Sequence, residues 1–286
     1  MKQQIIGMFS LTPGHWIGVL KGVRDTADRT NLALISAGVA FFGLMAAIPG
    51  LAALMAIVGL LGEPEWVAEQ VRALRGVAPD AVISVIHSQV ERLLETAAQP
   101  LLAGALFNLV LAIWSALQGT RWVLVALSAI DDTAPPRKFL QRYVAAGQFT
   151  LLGLGLGAVA VVLLGIAPIA LKFVPLGDNV EKWVLLLRWP VLGGCAIGFM
   201  LILYRWGPSG DPPAWKLVVP GALLAPVLWL AASSLLTFAL REFPAFGAAY
   251  GALASVVALL LWLYVSALIF LVGAAFNAEF KRVNRD

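Results

Sequence analysis

The chain carries one cysteine, Cys195, inside an apolar run, and two histidines, His15 and His87, far apart in sequence. One thiol excludes a disulfide framework and this spacing excludes a His/Cys metal site, so no metal or other cofactor is expected. Charge is scarce too: 13% of the 286 residues are Asp, Glu, Lys or Arg, against 60% hydrophobic, with a mean hydropathy of +0.88. Soluble domains carry about 25% charged and about 45–50% apolar residues, which excludes an ordinary soluble fold and indicates a polytopic membrane protein. Near the start, Pro13, Gly14 and His15 interrupt the apolar run and no clean small-residue cleavage site follows, so no cleaved signal peptide is expected. A net charge of +4 would suit nucleic acid in a soluble protein. In a membrane protein it reflects Lys and Arg gathered on the cytoplasmic side, and no nucleic-acid partner is expected.

What the chain has in abundance is long apolar sequence. Residues 31–62 hold no charged side chain, and as a straight helix would rise about 48 Å, beyond the roughly 30 Å of a bilayer's hydrocarbon core. Pro49 lacks the N–H that would bond to the Met45 carbonyl and its ring crowds that group, so Pro49-Gly50 is predicted to kink or divide the segment. A second overlong run, 243–278, contains Pro244, Gly247 and Gly251, which separate a short dipping segment from a span at about 249–276. Further apolar segments cover about 100–130, 143–171, 183–204 and 217–240. The fold class is therefore all-α: one integral membrane domain over 1–286, a polytopic transmembrane helical bundle of six spans with a broken first helix.

Outside the spans, residues 1–30 set Ile5, Ile6, Phe9, Trp16, Ile17 and Leu20 among Lys2, Lys21, Arg24 and Arg29, the pattern of a helix lying in the membrane interface. Gly14, Gly18 and Gly22 recur every four residues, either as a packing face or as loop glycines ahead of a span. Residues 63–99 read as an amphipathic helical pair in which Pro64 and Pro79 each begin a helix. There His87 lies on the polar face beside Glu91, as a solvated helix residue. The charged stretch 131–142 begins with Asp131 and Asp132 and continues to Arg137, Lys138 and Arg142. Such residues can hold a metal or phosphate, but a turn with a positive-inside cluster needs no ligand, and the turn is the reading taken here. Gly153, Gly155 and Gly157 in the third span, and Gly194 with Gly198 in the fourth, permit a homodimer without requiring one.

Lys and Arg set the orientation. With six spans, thirteen of the twenty fall on the side of the N-terminus. Both termini are therefore expected in the cytoplasm, with the pair at 63–99 facing outward.

Polar residues within the spans mark where a pathway would run. Asn108, Ser115 and Gln118 fall within about 80° of one another on a helical wheel and are expected to face the bundle interior. Arg121 either ends this span or snorkels, since an arginine at the bilayer centre costs at least ~2.5–3.5 kcal/mol. With Gln148 and Tyr250, and with backbone opened at Pro49, Gly50 and Gly251, these are the candidate pathway-lining or gating residues. The alternative is that they satisfy one another as interhelical hydrogen bonds while Pro and Gly serve packing.

Three stretches resemble the YihY/BrkB family of bacterial inner-membrane proteins, once named ribonuclease BN. Ala40-Phe41-Phe42 with Pro49 resembles the family's Ala-aromatic-aromatic motif followed by Ser-x-x-Pro, with Ala46 at the serine position. Tyr204-Arg205, Pro208, Trp215, Pro220-Gly221-Ala222 and Trp229 look like the family's turn and fifth helix. Tyr250-Gly251, Trp262, Tyr264, Gly273 and Ala274 look like its final helix. The chain departs from the family where an Asn and a Tyr are common and Ser128 and Asp131 stand here. The resemblance implies a bacterial inner-membrane location and an association with stress resistance, export or envelope lipid traffic.

Three functions are then in play. Interrupted helices suit a transporter, exporter or lipid-handling protein, surrounded by membrane lipids and acting on an anionic lipid or a small molecule. A structural role would instead dock an envelope protein through 63–99. A ribonuclease needs metal-binding carboxylates or acid/base groups beside a basic, stacking surface. The cytoplasmic loops offer His15, Asp131 and Asp132 with no aromatic platform, so no enzyme activity is expected.

Overall fold

The computed structural model describes residues 13–61, 79, 83–84, 87–88, 91, 102–132, 138–161, 163, 178–242 and 253–283. Its long helices are α1 (Pro13–Arg29), α2 (Leu32–Leu61), α3 (Leu102–Asp131), α4 (Phe139–Val161), α5 (Asp178–Trp206), α6 (Trp215–Glu242) and α7 (Ala254–Val283). The described residues include no strand. Six of these helices, α2 to α7, are long and apolar enough to cross a membrane. Large apolar side chains cover their outer surfaces, among them Leu34, Phe107, Val110, Leu151, Val227 and Leu235. So much exposed hydrocarbon would be a liability in water and suits contact with lipid.

The α1–α2 joint is two residues wide, Thr30 and Asn31. Thr30 N–H donates to the Thr26 carbonyl at 3.0 Å and Asn31 N–H to that of Asp28 at 3.2 Å, closing α1. Asn31 has φ of 52°, a left-handed conformation its short polar side chain tolerates, and its carbonyl accepts the Ile35 N–H at 3.1 Å to open α2. One residue therefore ends an amphipathic helix and starts a membrane span.

Of the two outcomes predicted at Pro49, a kink or a division, the division does not occur, because α2 continues through it to Leu61. Pro49 is buried, and Gly50 lies against α3, where an added Cβ would stand 3.9 Å from the Ala112 Cβ. A proline forfeits one helical hydrogen bond, and packing against neighbouring helices lets a membrane span tolerate that loss. The second predicted break, at Pro244, Gly247 and Gly251, lies outside the described residues, as does most of 63–99. Within the latter, Ile83 N–H donates to the Pro79 carbonyl at 3.1 Å, and His87 Nδ1 lies 3.3 Å from Glu91 Oε1 one turn on.

Both ends of the connector between α5 and α6 are helix terminations. Gly207 N–H donates to the Leu203 carbonyl at 2.7 Å, and Leu217 N–H to that of Ala214 at 2.9 Å. Residues 207–214 are thus the non-helical part of the Pro- and Gly-rich turn, and the helices run closer to one another than composition alone indicates. Arg29, Asp131, Arg205, Trp215 and Lys281 all belong to the end of the bundle where α1 lies, here called the basic end. The principal core, built from Leu32, Leu124, Leu127, Ile130, Leu203 and Leu271 with small alanines between them, sits toward that end.

Helices α6 and α7 cross with their backbones close together at two glycines. A Cβ on Gly221 would fall on the Gly273 carbonyl oxygen, and one on Gly273 would lie 2.7 Å from the Tyr204 hydroxyl and 3.0 Å from the Ala225 Cβ. Two glycines facing each other bring the backbones together, as small residues do wherever membrane helices pack tightly. Gly194 and Gly198 behave differently: neither would meet another atom within 4 Å, so this GxxxG makes no such contact among the described residues.

Candidate functional site

Two places gather polar groups from several helices. The first is the basic end. Glu279, 7% exposed, accepts from Thr26 Oγ1 at 2.7 Å and pairs with Arg282 Nη1 at 2.5 Å. Gly22 leaves the room for that carboxylate, since an added Cβ would stand 2.5 Å from Glu279 Oε2. Asp131 pairs with Lys281 at 3.0 Å, both largely buried, while Asp132 takes Arg29 and lies 4.0 Å from Arg282. Asp131 and Asp132, read from sequence as part of a turn rather than a metal or phosphate site, are thus each engaged by a cation far away in the chain. No trio of His, Cys, Asp or Glu placed to share a metal occurs among the described residues.

A pocket of about 30 Å³, room for one water, lies beside the Asp131–Lys281 pair and is also lined by Tyr204 and Asn277. Tyr204 donates to the Phe270 carbonyl at 2.7 Å, which uses its hydroxyl within the bundle. Nearby, Arg205 lies over Trp215 at 4.5 Å and Trp206 at 5.2 Å, and donates to the Pro213 carbonyl at 2.5 Å.

The second place is a cavity of about 380 Å³ between α2, α3, α5 and α7, open to the outside of the bundle. Its lining comprises Val39, Ala40, Gly43 and Ala46 of α2, Ser115, Ala116, Gly119, Thr120 and Val123 of α3, Phe199 and Leu203 of α5, and Leu263, Ser266, Ala267 and Phe270 of α7. On α2, α3 and α7 those stretches fall near the middle of the apolar windows Leu32–Gly50, Leu106–Asp131 and Ala254–Val283, which sets the cavity at mid-span there, while Leu203 lies near the end of the α5 window Trp189–Trp206. Small residues make the space: Ala40, Gly43, Ala46, Ala116, Gly119 and Ala267 leave a hollow where larger side chains would fill it. Its polar groups are three hydroxyls, those of Ser115, Thr120 and Ser266. Ser115 is fully buried and its Oγ has no hydrogen-bond partner among the described residues.

The residues singled out from sequence separate on this frame. Ser115 stands in the cavity wall. Gln118, a turn along, is half-buried, and its Oε1 is shielded with no hydrogen-bond partner among the described residues. Asn108 is half-buried, farther from the basic end on the same helix. Arg121 reaches α4, donating to the Tyr143 hydroxyl at 2.5 Å, with its guanidinium 5.3 Å from the Tyr143 ring centre and 5.6 Å from that of Trp122. Gln148 is exposed on α4, Pro49 and Gly50 lie on α2 beyond Ala46, and Tyr250 and Gly251 fall outside the described residues.

Sequence reasoning missed Thr120, Ser266 and Asn277. Thr120 accepts from Thr150 at 2.9 Å, and Ser266 accepts from Trp229 Nε1 at 2.8 Å while donating to the Trp262 carbonyl at 2.7 Å. Isolated hydroxyls in apolar helices look unremarkable until the opposing helix is known. Several residues that carry the family resemblance are explained by this packing, since Tyr204, Gly221, Trp229, Trp262 and Gly273 all serve contacts among α5, α6 and α7.

A bundle of six long apolar helices with a mid-span cavity defines a multi-pass helical membrane protein. The chain belongs to the virulence factor BrkB family, whose model matches residues 23–286. Relatives include the ribonuclease-like protein YfkH of Bacillus subtilis (strain 168), 25% identical over 247 residues, or 85% of this chain and 88% of that protein. A UPF0761 membrane protein of Idiomarina loihiensis is 28% identical over 131 residues, covering 46% of this chain and 43% of its own. A UPF0761 membrane protein of Tolumonas auensis is 35% identical over 83 residues, covering 29% and 27%. No solved structure matches the chain.

Proposed function

We propose that this protein is a transporter-like protein of the bacterial inner membrane that exports or redistributes a lipid or small molecule, with both termini in the cytoplasm. The observation that carries this reading is the mid-span cavity of about 380 Å³, within the roughly 300–1,000 Å³ of small-molecule sites. Transporter sites commonly lie near the bilayer midplane between packed helices, where a substrate is held away from both aqueous faces. The orientation rests on the Lys and Arg excess at the end shared by α1 and the C-terminus of α7.

The ribonuclease-like name of the Bacillus relative gains no support from the carboxylates here. Asp131 and Asp132, which sequence offered for such chemistry, are committed to Lys281 and Arg29. A scaffold that docks an envelope protein through 63–99 is separated by experiment: a neutral linker in place of that segment abolishes docking and spares transport.

Untargeted lipid and metabolite profiling of a deletion strain identifies what accumulates, and reconstitution into vesicles tests whether the purified protein moves it. Ala267→Phe, which fills the cavity, is expected to stop flux at unchanged protein level. Retained flux with the cavity filled would overturn the reading. Reporter fusions after Asp286 and near Asp80 test the orientation, with opposite sides expected.

A further inference from the structure

We propose that the mid-span cavity is a slot for one hydrocarbon chain of a bilayer lipid, which enters from the surrounding membrane while the lipid's headgroup stays outside. This rests on reading the cavity as the substrate site, and it names the part of the substrate that the site holds.

What can fill the space follows from what its walls offer. A water held inside a protein needs about two to four polar partners. Of the three hydroxyls in the lining, Ser115 is 0% exposed and presents no surface to the space. Ser266 accepts from Trp229 and donates to the Trp262 carbonyl, and Thr120 accepts from Thr150. The lining contains no Asp, Glu, Lys, Arg or His. Its backbone belongs to helices, whose peptide groups bond to one another. Water and a charged headgroup therefore find nothing here to replace the hydrogen bonds they leave behind. A hydrocarbon chain has none to lose.

The surroundings supply such a chain. The cavity opens to the outside of the bundle, and at the same depth that outer surface is apolar, with Phe41 and Met45 of α2, Ile113 and Trp114 of α3 and Leu261 of α7 exposed. An empty hollow would forfeit dispersion contacts along its walls, and a chain already in the bilayer restores them without crossing water. At roughly 30 Å³ per water-sized group, about 380 Å³ takes on the order of a dozen methylenes, one chain rather than two. Because the chain moves from hydrocarbon into walls that are equally apolar, no hydrophobic gain traps it, as a transit site requires.

The test uses the full-length protein in nanodiscs of phosphatidylethanolamine and phosphatidylglycerol. These are doped with phosphatidylcholine that bears a diazirine either midway along one acyl chain or in the headgroup. The mid-chain probe is expected to label Ala46, Ala116 or Ala267 in the cavity as well as outward residues such as Leu151, and the headgroup probe to label none of the three. Ala46→Phe and Ala267→Phe, which block the cavity from different helices, should each cut labelling of the remaining lining about tenfold. Leu151 should label as in the parent, which shows that the variants still fold in the bilayer. Labelling of the lining by the headgroup probe, or mid-chain labelling that persists in both blocked variants, would overturn the chain assignment. So would a lining that the mid-chain probe does not reach; if Ala267→Phe still stops flux in that case, the transporter reading stands with a different occupant. Mid-chain labelling of the lining together with full flux in both variants would keep the slot and remove the transporter reading.

Discussion

Asn277 of α7 holds the backbone of α6 from both sides: its Oδ1 accepts the Gly221 N–H at 2.7 Å and its Nδ2 donates to the Val218 carbonyl at 3.0 Å. Asn277 is 7% exposed, and its amide uses a donor and an acceptor on peptide groups one turn apart. The bond forms at the point where Gly221 and Gly273 let the two helices meet, so close backbone approach and amide pairing depend on each other.

Asn277→Ala should therefore destabilise the bundle by about 1–3 kcal/mol, because it leaves two buried backbone groups without this partner. Thermal unfolding in detergent measures it. A variant as stable as the parent would show that those groups find other partners.

Gly221→Ala is expected to be worse. Its Cβ would collide with a backbone carbonyl, which cannot rotate away, so α6 and α7 must separate and yield of folded protein should drop sharply. Gly18→Ala is the matched control: it has nothing within 4 Å and sits in α1, where alanine should be neutral or stabilising by up to about 1 kcal/mol.

Thr26→Ala removes a hydroxyl donor to the buried Glu279 carboxylate. Exchange of amide hydrogens across 13–29 should then accelerate relative to that of α7, because α1 loses a polar tie to α7. Thr26→Ser, which keeps the hydroxyl, should exchange like the parent.

Arg121→Lys keeps the charge but loses the planar stack on Trp122 and Tyr143. A loss of about 0.5–1 kcal/mol is expected, with substrate flux unchanged, since Arg121 braces α3 against α4. Gln118→Ala should instead lower flux with little effect on thermal stability. The opposite pattern in the two variants would place Arg121 on the substrate path.

What the sequence determined by itself was class. Apolar length and scarce charge dictate membrane helices, because backbone polar groups in lipid must bond within their own segment, and the six spans follow from run length. The α1–α2 boundary was also legible, near Asn31, where the apolar run begins. Tertiary structure decided how the polar residues are used. Helical periodicity placed Ser115 and Gln118 together, but whether a hydroxyl is satisfied depends on side chains from other helices, and sequence spacing says nothing of that. Thus Ser266 found Trp229, Asp131 found Lys281 and Arg121 found Tyr143, while Ser115 found no partner among the described residues. Pro49 shows the same limit: its missing N–H is a local fact, but packing among neighbouring helices is what lets α2 continue through it.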